Sequence, residues 1–248
     1  MEGILLGSGG WFPTSRRQTC SALLRQGCDV LLIDAGTGLQ RILERPDLVE
    51  GAENVDIVLT HFHLDHVVGL SLVPALPLSR PPVVWGPGEL LVGTPTRSIL
   101  EGLLGRPLFA APFDSMARDV REISGGELVL GSFVLTARVQ ERHSDPTLAF
   151  RVGDALTYCT DTAPDPGNVL FAGGSHVLLH EAWYAQDHDE IHSAGGDAGR
   201  IAREAGVQHL VLIHVNPLSD SDEALAESAR AEFTHAEVGT DLAAIPLP

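Results

Sequence analysis

Positive charge is scarce in this chain: its 248 residues carry 16 Lys plus Arg against 33 Asp plus Glu, a formal net charge of −17. Such a surface repels phosphate backbones and anionic lipid. Broad electrostatic binding to nucleic acid or membrane is disfavoured, and affinity for an anion must come from a local positive site. Cysteine is also sparse. Cys20, Cys28 and Cys159 form neither an even disulfide framework nor a Cys-x-x-Cys pair, so each is expected to be a small buried hydrophobe. Long apolar runs are missing too. The most apolar stretch, from Val67 to Leu78, is broken by Pro74 and Pro77 and falls short of the roughly 20 residues that span a bilayer. The opening MEGILLG lacks a basic segment and a long apolar core, so no membrane association and a cytoplasmic location are expected.

What is present is globular. Hydrophobic residues make up 44% of the chain and charged ones 20%, a balance that rules out disorder and, at this length, predicts one domain over residues 1–248. Runs rich in Val, Ile and Leu between Gly-rich turns predict strands at residues 3–6, 21–24, 30–33 and 55–59. Further strands are predicted at 133–139, 147–152, 155–159, 177–179 and 210–213. A helix is predicted over 195–205, with Ser193 as its cap and Gly206 as its stop; a second follows the SDSD run over 222–233, and a short one lies at 96–104. Between Pro87 and Ala117 the text is rich in Pro and Gly, as expected of a mobile cover or of an awkward connection.

The densest chemistry is LTHFHLDHVVGL, residues 59–70, where His61, His63, Asp65 and His66 fall within six residues directly after an apolar strand. On extended backbone, residues two apart point the same way, so His61 and His63 can grip one ion. A turn into a helix then swings Asp65 and His66 toward a second. A solvated polar loop gives no reason to crowd three imidazoles and a carboxylate together. His143, Asp161 and His214 each stand just beyond an apolar strand, the placement that gathers distant residues at one sheet edge.

These motifs resemble the metallo-β-lactamase superfamily, and within it the ribonuclease Z-like phosphodiesterase branch. The resemblance covers nearly the whole chain. It includes LLGSGGWFPTSRRQT at residues 5–19, LLIDAGTGLQR at 31–41, RHSDPTLAFRV at 142–152, LLHEAW at 178–183 and IHSAGGDAGRIAREAG at 191–206. At the third of these the branch's Gly-Tyr is replaced by Ala149 and Phe150. The resemblance implies an α/β fold, a four-layer αβ/βα sandwich with the metal edge between its two sheets. It implies that His61, His63 and His143 hold one metal, that Asp65, His66 and His214 hold another, and that Asp161 bridges, with Asp34 behind the ligands. Asp65, His192 and Glu181 are then the candidate catalytic groups, Glu181 orienting His192 and His192 protonating a leaving oxygen or steadying the phosphate. His192 also adjoins a helix start, where free N–H groups and the dipole favour an anion.

Two divalent cations, zinc or else manganese or iron with the same ligands, make the cluster positive within an acidic protein and lower the pKa of bound water from 15.7 to about 7. A hydrolase follows, most simply a phosphodiesterase. Ribonuclease Z proper carries an arm that grips transfer RNA, inserted in the bacterial pattern between the residues matching His143 and Asp161. That interval is too short here for an arm, so a small anionic phosphodiester is the expected substrate and nucleic acid is not. The alternatives are the transfer-RNA 3′ endonuclease, a thioester or lactone hydrolase, which the Glu181 and His192 pair argues against, and a non-catalytic metal-binding module. A homodimer is implied only by the resemblance. Arg16 and Arg17 are expected either to hold a substrate phosphate or to pair with surplus carboxylates. His176, His180, His188, His209 and His235 are expected to lie outside the metal edge.

Overall fold

The computed structural model describes residues 1–218 and 221–248. Ser219 and Asp220 of the SDSD run lie outside the described residues. Thirteen strands form two sheets among the described residues. The first holds β1 (Glu2–Gly7), β2 (Ser21–Gln26), β3 (Asp29–Ile33), β4 (Asn54–Val58), β5 (Val83–Gly86) and β6 (Asp119–Glu122) in that order, antiparallel at first and parallel from β3 onward. The second holds β7 (Gly126–Leu130), β8 (Phe133–Gln140), β9 (Thr147–Val152), β10 (Leu156–Cys159), β11 (Val177–Glu181), β12 (His209–Ile213) and β13 (Ala236–Val238), again in chain order and parallel from β10 to β13. The helices are α1 (Arg41–Glu44), α2 (Leu64–Val67), α3 (Thr96–Leu104), α4 (Gly167–Ala172), α5 (Gly195–Ala205) and α6 (Asp222–Glu232).

Strand periodicity sorts the apolar side chains into three layers. Val30, Leu32, Val55 and Ile57 face one way, packing with Leu39, Ile42, Leu70 and Leu100 outside the first sheet. Their neighbours Leu31, Ile33 and Val58 face the other way and meet Phe150, Tyr158, Leu179, Val211 and Ile213 of the second sheet. Leu178, Leu210 and Leu212 then turn outward onto Ala198, Ile201 and Ala202 of α5 and Leu225 of α6. Residues alternate across a strand, so a sheet covered on both faces needs near-continuous apolar strands, as β3 and β12 are after their first residues. The result is the expected four-layer αβ/βα sandwich.

Several local expectations change. The strands β5, β6, β7 and β13 were not legible: β5 sits between prolines and a glycine, β6 reads Asp-Val-Arg-Glu, and β13 has three residues. Ser193 does not cap α5. Ala194 stands at the N-cap with its N–H donating to Asp197 Oδ2, while Ser193 Oγ donates to the Thr162 carbonyl at 2.7 Å. Ser221 caps α6, accepting from Ala224 N at 3.1 Å. Cys20 and Cys159 are buried but Cys28 is exposed, in the tight turn between β2 and β3. The stretch from Pro87 to Ala117 is a packed connection, with Leu100, Leu104, Met116 and Ala117 in the outer core of the first sheet and Thr96 bonded through N and Oγ1 to Glu122 of β6.

The chain ends meet. Leu5 N–H donates to Ala243 O and Ile245 N–H to Gly3 O, while Asp241 accepts from Ser8 N, Gln18 N and Arg41. Phe150, in the layer between the sheets, is fully buried. Phe150→Ala is expected to lower unfolding free energy by about 3–5 kcal/mol, read from urea titration followed by circular dichroism.

Candidate metal centre

The parallel strands of both sheets end at one edge. Asp34 follows β3, the His61 to His66 loop follows β4, Asp161 follows β10, Glu181 ends β11 and His214 follows β12. The loop after β8 brings His143 to the same edge. Asp34, Asp161 and His214 all hold left-handed backbone, with φ of 61°, 49° and 50°. Non-glycine residues persist there only where surrounding contacts over-determine them, and such strain collects at functional sites. Gly10 shows how tight the edge is, since a Cβ there would lie 2.5 Å from the His214 ring.

Four of the five candidate imidazoles are held by one nitrogen so that the other points inward, whereas His214 Nδ1 is buried without a hydrogen-bond partner. His61 Nδ1 meets Thr60 Oγ1 at 2.9 Å, and that hydroxyl continues to Asp34 Oδ1 at 2.9 Å. His66 Nδ1 meets Asp34 Oδ2 at 2.9 Å, and Tyr158 Oη donates to the same oxygen at 3.2 Å. His143 Nδ1 donates to Ile191 O at 2.9 Å. His63 is reversed: its Nε2 meets Asp145 Oδ2 at 3.1 Å, which turns Nδ1 toward His143 Nε2 at 3.4 Å. His61 Nε2 and His66 Nε2 are buried without a hydrogen-bond partner. Carboxylates and carbonyls behind imidazoles in this way fix the tautomer that leaves a lone pair for a metal.

The inward atoms converge. His61, His63, His143 and Asp161 offer donor atoms within 4.8 Å of one another, as do Asp65, His66 and His214. Asp161 reaches both groups, with Oδ1 3.5 Å from His143 Nε2 and Oδ2 3.1 Å from His66 Nε2. His192 also comes within 4.8 Å of Asp161 and His214 through its donor atoms. Imidazole and carboxylate donors so placed, two of the nitrogens buried and unpartnered, fit divalent cations.

The electrostatics reflect the crowding of imidazoles and carboxylates. Burial pushes the His61 pKa well below the ordinary histidine range, leaving a neutral imidazole able to ligate. Burial also opposes charge on Asp161, but His214, His66 and His61 outweigh it and hold this carboxyl well below its usual range. Around His66, burial is overcome by Asp161, Asp65 and Asp34, which raise its pKa well above normal.

Beside the cluster, His192 Nδ1 lies 2.9 Å from Glu181 Oε2, and Glu181 Oε1 accepts the Thr162 N–H. Glu181 is completely buried, and burial lifts its pKa well above the usual carboxylate range. Trp183 stacks on His192 with ring centroids 4.5 Å apart and planes 12° from parallel. The metal-facing edge opens into a cavity of about 590 Å³ whose walls include His63, Asp65, His143, Asp161, His192 and His214 with Trp11, Phe12, Leu64, Trp183 and Ile191.

Thus all the candidate ligands and the Glu181 and His192 pair come together, whereas Thr60, Tyr158, Asp145 and Trp183 were not singled out from the sequence. Only Thr60, abutting the histidine motif, carried a positional signal. Among the other histidines, His180 is buried with Nδ1 on Glu181 O and His188 pairs with Asp197, while His176, His209 and His235 lie near one another, away from the cluster. Arg17 is structural. It bonds Ser8 Oγ, Gly239 O and Asp222, and neither it nor Arg16 lines the cavity.

Comparison with known proteins follows the same line. The Beta-lactamase superfamily domain matches residues 30–215. A ribonuclease Z of Mycobacterium avium is 30% identical, the alignment covering 98% of this chain and 96% of that protein. A ribonuclease Z of Clostridium acetobutylicum is 26% identical over 97% and 96%. Among solved structures, the metallo-β-lactamase fold protein YhfI of Bacillus subtilis superimposes with a TM-score of 0.80 at 19% identity, covering 98% of each chain. A diphosphatase of the PhnP family does so at 0.74 and 17%, covering 100% of this chain and 98% of the other. The chain is a metal-dependent hydrolase and belongs to the metallo-β-lactamase superfamily, in its ribonuclease Z-like branch.

Proposed function

We propose that the protein is a dinuclear phosphodiesterase acting on a small phosphodiester, with His61, His63 and His143 holding one cation, Asp65, His66 and His214 the other, and Asp161 shared between them. Zinc suits these donors best. Two such cations would supply a nucleophile from water at neutral pH and Lewis acidity for displacement at phosphorus. The residues of the chain provide the rest. Asp34, through Thr60 and His66, keeps two imidazoles in the tautomer that presents Nε2. His192 borders the same cavity, and Glu181 and Trp183 fix its ring. When His192 Nε2–H gives its proton to the departing oxygen, Nδ1 draws one from Glu181, whose burial favours holding a proton until then. The pair thereby acts as one proton store.

The observation that carries the small-diester reading is the interval between His143 and Asp161. Apart from residues 144–146 and Thr160 it is taken up by β9 and β10, paired with each other in the sheet, and the three-residue turn between them. The alignment to the clostridial ribonuclease Z runs over 305 positions against 248 residues here, so that relative has dozens of residues with no counterpart in this chain. All 16 basic residues are arginines, and none lines the cavity. A second reading, the transfer-RNA 3′ endonuclease, is favoured by the relatives named ribonuclease Z, whose nearly full length this chain covers.

Three measurements test this. Zinc- or manganese-loaded protein should release 4-nitrophenolate from bis(4-nitrophenyl) phosphate, and chelation or His61→Ala should abolish it; a transfer-RNA precursor cut faster than a panel of small diesters would favour the endonuclease. His192→Ala should lower diester turnover by about 10²–10⁴-fold while metal content stays at the wild-type level. Asp34→Asn, by misorienting His66, should weaken metal binding about 10–100-fold in chelator competition without loss of fold.

A further inference from the structure

Trp11 combines three features that protein stability alone does not explain. It is 60% exposed, an unusual place for so large an apolar surface. Its φ is 61°, in the left-handed region that a bulky side chain adopts only under constraint. And its backbone N–H donates to Asp65 Oδ2 at 2.6 Å, so the residue is tied directly to a candidate metal ligand. The glycine loop before it is anchored, with Gly9 N–H on Gln18 O and Gly10 N–H on Val215 O at 3.1 Å. The chain is therefore held in a strained conformation that places an indole at the rim of the metal cavity.

The indole has company. Phe12 packs edge-on against it with centroids 5.0 Å apart, and the exposed Leu64, next to Asp65 in the chain, joins them in lining the cavity. No lysine or arginine lines this space. A polyanion would find no charge partner beyond the cluster itself, whereas a flat apolar ring would find a face to cover. Water over an exposed indole is released when a ring stacks on it, and every nucleobase or phenyl ring has such a face.

We propose that Trp11, supported by Phe12 and Leu64, is a stacking platform for a flat aromatic group on the substrate, so that the enzyme acts on compact diesters carrying a nucleobase or an aryl ring. This rests on the diesterase reading and narrows its substrate class. Trp11 is a specificity-determining residue, and its Asp65 tether sets the distance between the stacked ring and the reacting phosphorus.

Binding to metal-loaded protein, measured by calorimetry, separates this from turnover. Adenosine 5′-monophosphate should bind about tenfold more tightly than ribose 5-phosphate, which has the same phosphate and sugar without the base. Phenyl phosphate should gain similarly if any flat ring suffices, and a gain confined to the nucleotide would assign a nucleoside ester. Trp11→Ala should erase the preference while leaving ribose 5-phosphate binding and metal content unchanged. Trp11→Phe should keep most of the preference, which controls for disturbance of the loop. Equal affinity for ring-bearing and ring-free phosphates in the wild type, or equal loss for both in Trp11→Ala, overturns the platform. Absence of diester cleavage with the ring preference intact would overturn the activity and not the platform.

Discussion

A buried layer of aliphatic and aromatic side chains between two sheets determines where everything else can go. Leu31, Ile33 and Val58 on one side and Leu179, Val211 and Ile213 on the other belong to strands that run out at the same edge. Once these faces close, the residues immediately beyond each strand are brought to that edge, whatever their separation in the chain. Carboxylates and imidazoles gather there, beyond the apolar layer that offers them no partners. Cations are the economical way to satisfy so many inward-pointing lone pairs.

The second constraint is a single buried carboxylate. Asp34 accepts bonds from Thr60, His66 and Tyr158, thereby joining the first sheet's loops to a strand of the second. Such bonds fix ring orientation, since a ring that is free to flip would present an N–H instead of a lone pair. The left-handed conformations of Asp34, Asp161 and His214 are parts of the same arrangement.

Much of this was legible in the sequence because the relevant side chains directly follow apolar strands: His61, His63, Asp65 and His66 after β4, His214 after β12. The fold class followed from the same runs. What could not be read depended on long-range partners. Tyr158 looks like an ordinary core residue until its hydroxyl is seen to reach Asp34, 124 positions away. Arg17 looks like an anion binder until Ser8, Gly239 and Asp222 are found around it. β6 and β7 are edge strands whose exposed polar positions blur the alternation that reveals buried ones, and β13 is too short to show a period.

The meeting of the chain ends has a temporal meaning. Asp241 clasps Ser8 and Gln18 on either side of the glycine loop, and Ala243 and Ile245 zip onto the first strand, contacts spanning more than 200 positions. Synthesis proceeds from the amino terminus, so the histidine-rich loop emerges from the ribosome long before the segment that locks the neighbouring loop in place. Assembly of a competent centre thus waits until residues 241–245 have been made, and a nascent polypeptide stopped short of them exposes its imidazoles without the clasp that completes the cleft.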